Sequence, residues 1–344
     1  MANPEHLQIL NGGPQAIADW QKENPYEYFD LEDVDLRDFN LKGACLYGAN
    51  MKQAILDGMD LRECDLVAAV LSHASLKDVN LSNAVLTGAT ADHCDLTKAD
   101  LCCARFDQAD LSWSSLVGIN APDADFSKAD LISTDLTNSR LQGASFVDAV
   151  LIKAQLTRAD ATEVSFRGAD LVDVVLKEAV LEECCFLNAR LIHADLYGAN
   201  LTGAVLGDVE LSDLRYSNLT DAHLEASRVV NSQFNNADLH AAKLARADLR
   251  GADLRGADLT EADITDANLS GTHLANVRVA THNFWEDVAD RRTKPHNYER
   301  LVEKWEVVEH SNLYGPPTYV LRERRQTLTE DNAREPDSRR SETP

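Results

Sequence analysis

The amino-acid sequence predicts an all-β solenoid, in which the chain coils around a continuous apolar core. The first observation is an apolar residue at every fifth position from Leu31 to Leu211, without insertion or deletion. Of these 37 central positions, 28 are Leu and five are Phe, and the position two residues earlier is Ala in 22 cases. The second observation is a further tract of 15 central positions from Leu214 to Phe284. A period of five fits neither an α-helix nor a flat strand, so the repeat itself determines the fold.

Two apolar positions in every five residues require the chain to turn a corner at each repeat. Four such corners close a square coil of about 20 residues, so residues 20 apart are expected to stack. Ala91, Ala121 and Ala161 are the only central positions of the first tract with Ala, and each shares a coil with a Phe, which keeps the core volume roughly constant. The Phe residues recur at intervals of 20 and are predicted to form one interior stack: Phe106, Phe126, Phe146, Phe166 and Phe186.

Short stretches of the chain repeat one motif almost unchanged. Residues 199–203 read ANLTG, and residues 247–251 and 252–256 both read ADLRG. This pattern closely resembles the A-(D/N)-L-X-X motif of the pentapeptide-repeat family, and the resemblance covers residues 30–284. It implies a right-handed quadrilateral β-helix, and the length of the repeat tract gives about 13 coils. The resemblance also implies that DNA gyrase is a possible partner, since some bacterial members imitate DNA and bind gyrase, and that a homodimer is possible, since C-terminal aromatic residues mediate dimerisation in some members.

The residues before the repeat are expected to form an N-terminal helical cap over residues 1–29. Leu7 and Leu10 predict one short helical turn, and Ile17 and Trp20 predict a second helix. Such a cap would cover the open edge of the first coil.

Two irregular regions lie further along the chain. The central spacing falls to three residues at 211–214, which indicates either a tightened corner or a kink in the rod. Residues 285–321 are predicted to form a C-terminal helical cap, with an amphipathic helix over 297–310. Residues 322–344 are charged and poor in apolar side chains, and we expect them to be disordered.

The charge and cysteine content narrow the class of protein. The net charge is −24, and residues 30–210 carry 30 acidic against 14 basic side chains. Such acidity argues against a surface for nucleic acid or for anionic membranes. We expect no membrane span, because no run of 18 apolar residues occurs, and no secretory signal, because no apolar stretch follows a basic start. Seven cysteines in so long a chain do not resemble a disulfide framework, and a reduced, cytoplasmic location is expected.

No catalytic, cofactor or metal site is predicted. A filled solenoid with convex faces offers no concave pocket where an acid, a base and a nucleophile could converge. His73, His93 and Trp113 recur at intervals of 20 on one face, and His193 lies on the same line. Two imidazoles stacked ~5 Å apart could share a metal ion, but structural zinc sites use four ligands, so the sequence alone predicts none here.

One apolar column stands out among positions that should point outward. It consists of Ile132, Ile152, Val172 and Ile192, each directly after a central Leu, with Val150 beside it. Contiguous apolar side chains on a protein surface often mark an interaction site. The alternative is that these β-branched residues only support the coil.

The sequence therefore favours a non-enzymatic protein–protein interaction scaffold, whose partner is another protein or a second copy of the chain. The alternative is an acidic DNA mimic that binds DNA gyrase. The first tract is ~43 Å long, and B-DNA of that length carries roughly 25 phosphate charges. The net charge of residues 30–210 is −16 and is divided among several faces, which weakens the case for mimicry.

Overall fold

The structure, a computed structural model, describes residues 3–206, 212–280, 298–310 and 318–324. Its body is a β-helical solenoid in which each repeat contributes a short extended stretch and a turn. Parallel bridges join residues 20 apart, from Asp30 with Asn50 onward, and the last bridge joins Asp258 with Arg278. Each turn of the solenoid therefore takes four repeats before the chain lies on itself again.

Three of the five backbone N–H groups of each repeat donate to a neighbouring coil. We number the five residues of a repeat −2, −1, 0, +1 and +2 around the central residue. The N–H groups at 0 and +2 donate to the next coil, as Leu131 does to the carbonyl of Val150 at 2.8 Å and Ser133 to that of Ile152 at 2.9 Å. The N–H group at −1 donates back to the preceding coil, and that at −2 closes the turn.

The N–H group at +1 has no backbone acceptor in this pattern, and Asp or Asn at −1 provides one. The carboxylate of Asp130 accepts a hydrogen bond from the N–H of Ile132 at 3.1 Å, and that of Asp253 accepts from Arg255 at 3.1 Å. Asn performs the same task in other repeats. An unpaired buried N–H costs about 1–3 kcal/mol. Many acidic residues of this chain therefore serve its turns as hydrogen-bond acceptors.

Position +2 adopts the left-handed conformation in nearly every described repeat of the solenoid. Among the described residues, positive φ occurs at 35 non-glycine residues, all at this position, including His73 at 61° and Trp113 at 62°. A turn with a left-handed third residue is the geometry of a type II turn. The conformation of these residues is thus a property of the fold and does not mark a strained site.

Backbone bridges between coils continue across the register change among the described residues. Bridges that elsewhere join residues 20 apart join Asp195 with Asp213 and Asn200 with Asn218, at intervals of 18. The columns of side chains therefore continue past the break with a shift of two residues. Residues 207–211, where the predicted corner or kink falls, lie outside the described residues.

Two helices precede the first coil, α1 at Pro4–Leu10 and α2 at Gly13–Glu23. They pack on that coil through aromatic rings, since the centroid of Phe29 lies 4.4 Å from that of Trp20 and 5.2 Å from that of His6. The N–H of Asp30 also donates to Nδ1 of His6 at 2.9 Å.

The C-terminal segment departs from the prediction. The helix predicted over 297–310 ends early: α3 spans Tyr298–Lys304 and is followed by strand β2 at Trp305–His310. Strand β3 at Thr318–Glu323 pairs antiparallel with β2 and with β1 at Arg278–Val279, in the order β1-β3-β2. The expectation of a purely helical C-terminal cap over 285–321 is therefore wrong.

The reason for this error is a change of period at Trp305. Trp305 is buried and Val307 is partly buried, which is the alternation of a strand, while the residues before Trp305 follow the helical period. Opposite Val307 in β3 lies Leu321, which is also buried. Strand β3 continues to Glu323, so the predicted start of the disordered tail at residue 322 was placed too early. Residues 325–344 of that tail lie outside the described residues.

Candidate partner surface

Four of the five predicted partner residues occupy the same position in successive coils. Ile132, Ile152, Val172 and Ile192 are all at +1, and each is half-buried. Their carbonyls accept hydrogen bonds from the preceding coil, for example from Lys153 N to Val172 O at 3.0 Å. The column is thus held by the backbone and is neither fully buried nor freely projecting.

Val150, the fifth predicted residue, lies at −1 on the adjacent line. It is half-buried and bridges to Asp130 in one coil and Asp170 in the next. Polar pairs border the column on both sides. Nη1 of Arg190 lies 2.8 Å from a carboxylate oxygen of Asp170 on one side. On the other side, His193 lies 3.4 Å from the carboxylate of Asp173.

The same corner carries a large exposed aromatic residue one coil before Ile132. The N–H of Trp113 donates to the carbonyl of Ile132 at 2.9 Å, and the Trp113 residue is 61% exposed. The six residues together form what we call the corner strip: Trp113, Ile132, Val150, Ile152, Val172 and Ile192. Sequence reasoning had placed Trp113 and the isoleucines separately, because they occupy positions +2 and +1.

Histidines continue the corner beyond Trp113. The ring of Trp113 stacks on that of His93 with centroids 6.4 Å apart and planes at 14°, and His93 lies 4.8 Å from His73. The carboxylate of Asp92 joins this group, since one of its oxygens lies 2.9 Å from Nδ1 of His93. The hydroxyl of Ser72 donates to the other oxygen at 2.5 Å. That hydrogen bond from Ser72 lowers the pKa of Asp92, burial opposes it, and the contact with His93 adds to the lowering.

The five phenylalanines lie inside the solenoid, in a separate column. All have 0% exposure, and successive ring centroids are 5.3, 4.9, 5.3 and 4.9 Å apart from Phe106 to Phe186, with planes within 20° of parallel. They therefore stabilise the rod and are not available to a partner.

One aromatic cluster was missed by sequence reasoning. Tyr197 and Tyr216 lie 5.5 Å apart between ring centroids, and the guanidinium of Arg215 lies 5.7 Å from the centroid of Tyr197. The cluster spans the register change, so its residues are not 20 apart. The signal that could have found it is the 18-residue interval between Tyr197 and Arg215.

The fold and this surface define a class of protein: a β-helical solenoid with a filled apolar core and with its polar and exposed side chains on the outer surface. The sequence profile for pentapeptide repeats matches in eight copies, which confirms the resemblance. The chain belongs to the pentapeptide repeat family. The matches cover residues 30–66, 64–101, 104–143, 132–168, 169–208, 217–256 and 237–276.

Solved structures of similar proteins come from several sources. HetL, a pentapeptide repeat protein involved in heterocyst differentiation regulation from the cyanobacterium Nostoc sp. strain PCC 7120, is 26% identical, covering 66% of this chain and 90% of its own, with a TM-score of 0.27. Full-length QnrB1, a plasmid-mediated fluoroquinolone resistance protein, is 17% identical over 60% of this chain and 96% of its own, with a TM-score of 0.33. AT2G44920 from the thylakoid lumen of Arabidopsis thaliana is 33% identical, but over only 30% of this chain and 63% of its own, with a TM-score of 0.13.

These TM-scores are too low to transfer a binding site. No curated protein matches the sequence. Within the described part of the chain, every helix is too short or too polar to cross a membrane.

Proposed function

We propose that this chain is a non-enzymatic scaffold that binds another protein through the corner strip. The observation that carries the proposal is a column of four half-buried β-branched residues on one corner, preceded by exposed Trp113, whose backbone N–H donates to the carbonyl of Ile132. Trp is enriched among the residues that dominate binding energy at interfaces, especially when less critical contacts surround it and exclude water. Asp170, Asp173 and Arg190 lie beside the Val172–Ile192 end of the strip and would belong to the polar rim of such an interface.

The strip has the dimensions of an interface core. From Trp113 to Ile192 it crosses four coil steps, which is ~19 Å at the spacing of paired strands. A stable interface buries about 800 Å² on each partner, so the strip would form its centre and the polar side chains beside it the rim. Because coil pairing fixes the backbone of the strip, little conformational entropy remains to be lost on binding.

Paired substitutions on two corners of the same coils test this proposal. Ile152→Lys with Ile192→Lys places two charges in the strip. Thr137→Lys with Thr157→Lys is the matched control, since these threonines are half-buried at +1 on the next corner, where Lys77 and Lys177 occur naturally. Circular dichroism and melting should show that both variants remain folded.

Quantitative affinity capture and sedimentation velocity then read out binding to other proteins and to a second copy. We expect at least one captured protein, or the self-association, to fall tenfold or more in the isoleucine variant and to persist in the threonine control. Identical captured proteins and an identical oligomeric state in wild type and both variants would refute the proposal.

The alternative function is acidic DNA mimicry with DNA gyrase as partner, and one face of the solenoid favours it. Register from the parallel bridges places twelve acidic and two basic side chains on this face between residues 60 and 261. The net charge there is ten negative charges over ~48 Å, where B-DNA would carry about 28 phosphates. The acidic face is formed by Asp60, Glu63, Asp100, Asp123, Asp160, Glu163, Glu182, Glu183, Asp221, Asp238, Asp258 and Glu261.

Asn substitution separates charge from structure on this face. Asp100, Asp160 and Asp238 each accept the N–H at +1, and Asn keeps that acceptor while it removes the charge. If the protein binds gyrase as DNA does, the triple Asn variant should bind more weakly, and binding should fall steeply with salt. Gyrase binding that is insensitive to both changes would exclude mimicry.

We also propose an architecture and a location for this protein. We infer a right-handed quadrilateral β-helix of about 13 coils over residues 30–284, with residues 1–29 as the N-terminal cap. Support comes from the 20-residue bridges and from the packing of α1 and α2 on the first coil. A cytoplasmic location is also proposed, because all seven cysteines lie in the described residues and are free.

A further inference from the structure

We propose that His73, Asp92 and His93 form an open binding site for a divalent transition-metal ion, a function separate from protein binding. The solenoid brings together the side chains of two coils here. His73 comes from one coil, and Asp92 and His93 are adjacent in the next. One ligand atom from each of the three residues lies within 4.8 Å of the other two.

The spacing of these atoms suits a single ion after a small adjustment. Nitrogen ligands lie about 2.0–2.1 Å from zinc, so ligand atoms around one ion are about 3–4 Å apart. His73 and His93 are exposed and Asp92 is half-buried, so rotation about side-chain bonds can close a gap of about 1 Å. The rings of His73 and His93 are stacked with planes 30° apart, so each ring must turn to point an in-plane nitrogen at the shared ion.

The backbone and Ser72 hold the three residues in place. The N–H of His73 donates to the carbonyl of Asp92 at 3.0 Å, which fixes the two coils in register at this site. The hydroxyl of Ser72 orients the Asp92 carboxylate, as outer groups commonly orient metal ligands.

The ligand types select the class of metal. Two imidazoles and one carboxylate suit Zn²⁺, Cu²⁺ or Ni²⁺, whereas Mg²⁺ and Ca²⁺ prefer an all-oxygen set. Three protein ligands leave at least one position for water, as in zinc sites that keep an open coordination position. The sequence identified the two stacked histidines but not the third ligand, because Asp92 is a +1 residue and lies outside the +2 column of the histidines.

Trp113 provides a built-in probe for the site. Its ring centroid lies 6.4 Å from that of His93, so Cu²⁺ bound there should quench Trp113 fluorescence. The experiment uses full-length protein without a polyhistidine tag, stripped of metal with a chelator. Cu²⁺ is titrated while Trp emission is followed, and Zn²⁺ is titrated by calorimetry.

We expect one ion per chain, with affinity at least tenfold weaker in His73→Ala and in His93→Ala, and about tenfold weaker in Asp92→Asn. The quenching should disappear in Trp113→Phe while the calorimetric affinity for Zn²⁺ stays unchanged. The matched control is His193→Ala, which removes a histidine of the same column that contacts one carboxylate, Asp173, at 3.4 Å.

Equal affinities in wild type and in His73→Ala would overturn the proposal, as would equal losses in His193→Ala and His93→Ala. These outcomes are independent of the protein partner, because the titrations use the purified chain alone. Unchanged circular dichroism in each variant would exclude loss of the fold as the cause of weaker binding.

Discussion

Replacement of Phe146 by Ala is expected to destabilise the middle of the solenoid strongly. Phe146 is fully buried and lies between two other rings, with centroids 4.9 Å from Phe126 and 5.3 Å from Phe166. A buried aromatic side chain of about 150–250 Å² contributes about 4–6 kcal/mol at about 25 cal/mol per Å². Ala recovers only part of this, and the cavity cannot collapse fully between fixed coils, so we expect a loss of about 3–5 kcal/mol.

Native-state hydrogen exchange read by mass spectrometry is the suitable assay. Each coil contacts only its neighbours, so a long solenoid is not expected to unfold in one step, and a single melting temperature would average over it. The opening free energy of peptides around residue 146 should fall by the stated amount, while that of coils far along the rod should change little.

Phe146→Leu is the matched control, because Leu is the usual central residue. It should cost about 1–3 kcal/mol, chiefly through the loss of two ring contacts worth about 0.5–1.5 kcal/mol each. Phe186 has a ring neighbour on one side within the stack, Phe166 at 4.9 Å, and Phe186→Leu should cost about half as much. A loss below about 0.5 kcal/mol in Phe146→Ala, typical of a surface site, would refute the buried stack.

Two further predictions concern the turns. Gly168→Ala should lower the local opening free energy, measured by hydrogen exchange at the substituted turn, by about 1 kcal/mol more than Gly88→Ala does. Both glycines have positive φ, but only at Gly168 would the new Cβ approach a carboxylate oxygen of Asp148. Equal losses in the two variants would show that the approach is harmless. Burial alone would raise the pKa of Asp253, yet hydrogen bonds, led by that from the Arg255 side chain, hold it at about 2. A depressed pKa stabilises the fold above the unfolded value near 4, and this contribution is lost as pH falls from about 4 to about 2. Arg255→Gln should therefore be less stable than wild type at pH 7, with the difference vanishing near pH 2, and a difference that stays constant over this range would contradict the assignment.

The sequence predicted the interior of this protein better than its surface. A central residue every five positions and Phe every 20 leave one way to bury the side chains, so the coil length and the Phe column could be predicted from spacing alone. The role of Asp at −1 was not predicted. It follows from the one N–H that coil pairing leaves over, and that N–H becomes evident only when the hydrogen bonds are traced.

The errors fall where the period of five ends. Near Trp305 a helical stripe and strand alternation share the same residue, so periodicity alone could not locate the end of α3. At the register change, contacts shift from 20 to 18 residues, and this shift concealed the contact of Arg215 with Tyr197.

The candidate site was predicted only in part, because some of its members are not 20 residues apart. The column of Ile132 and Ile152 was found by its spacing, but its continuity with Trp113 depends on a turn that places positions +1 and +2 of adjacent coils side by side. Asp92, the third member of the histidine cluster, was missed because it lies at +1 while the two histidines lie at +2.

The most direct test of the corner strip as a partner surface is site-specific photo-crosslinking in cells. A photoreactive amino acid is introduced at Lys153, which is exposed beside Ile152, or at Arg158, which is exposed at the same +2 position on the next corner. Binding through the strip predicts a defined crosslinked partner, or a crosslinked second copy, from position 153 and none from 158. Absence of a crosslink at 153, or equal crosslinking at both positions, would contradict it.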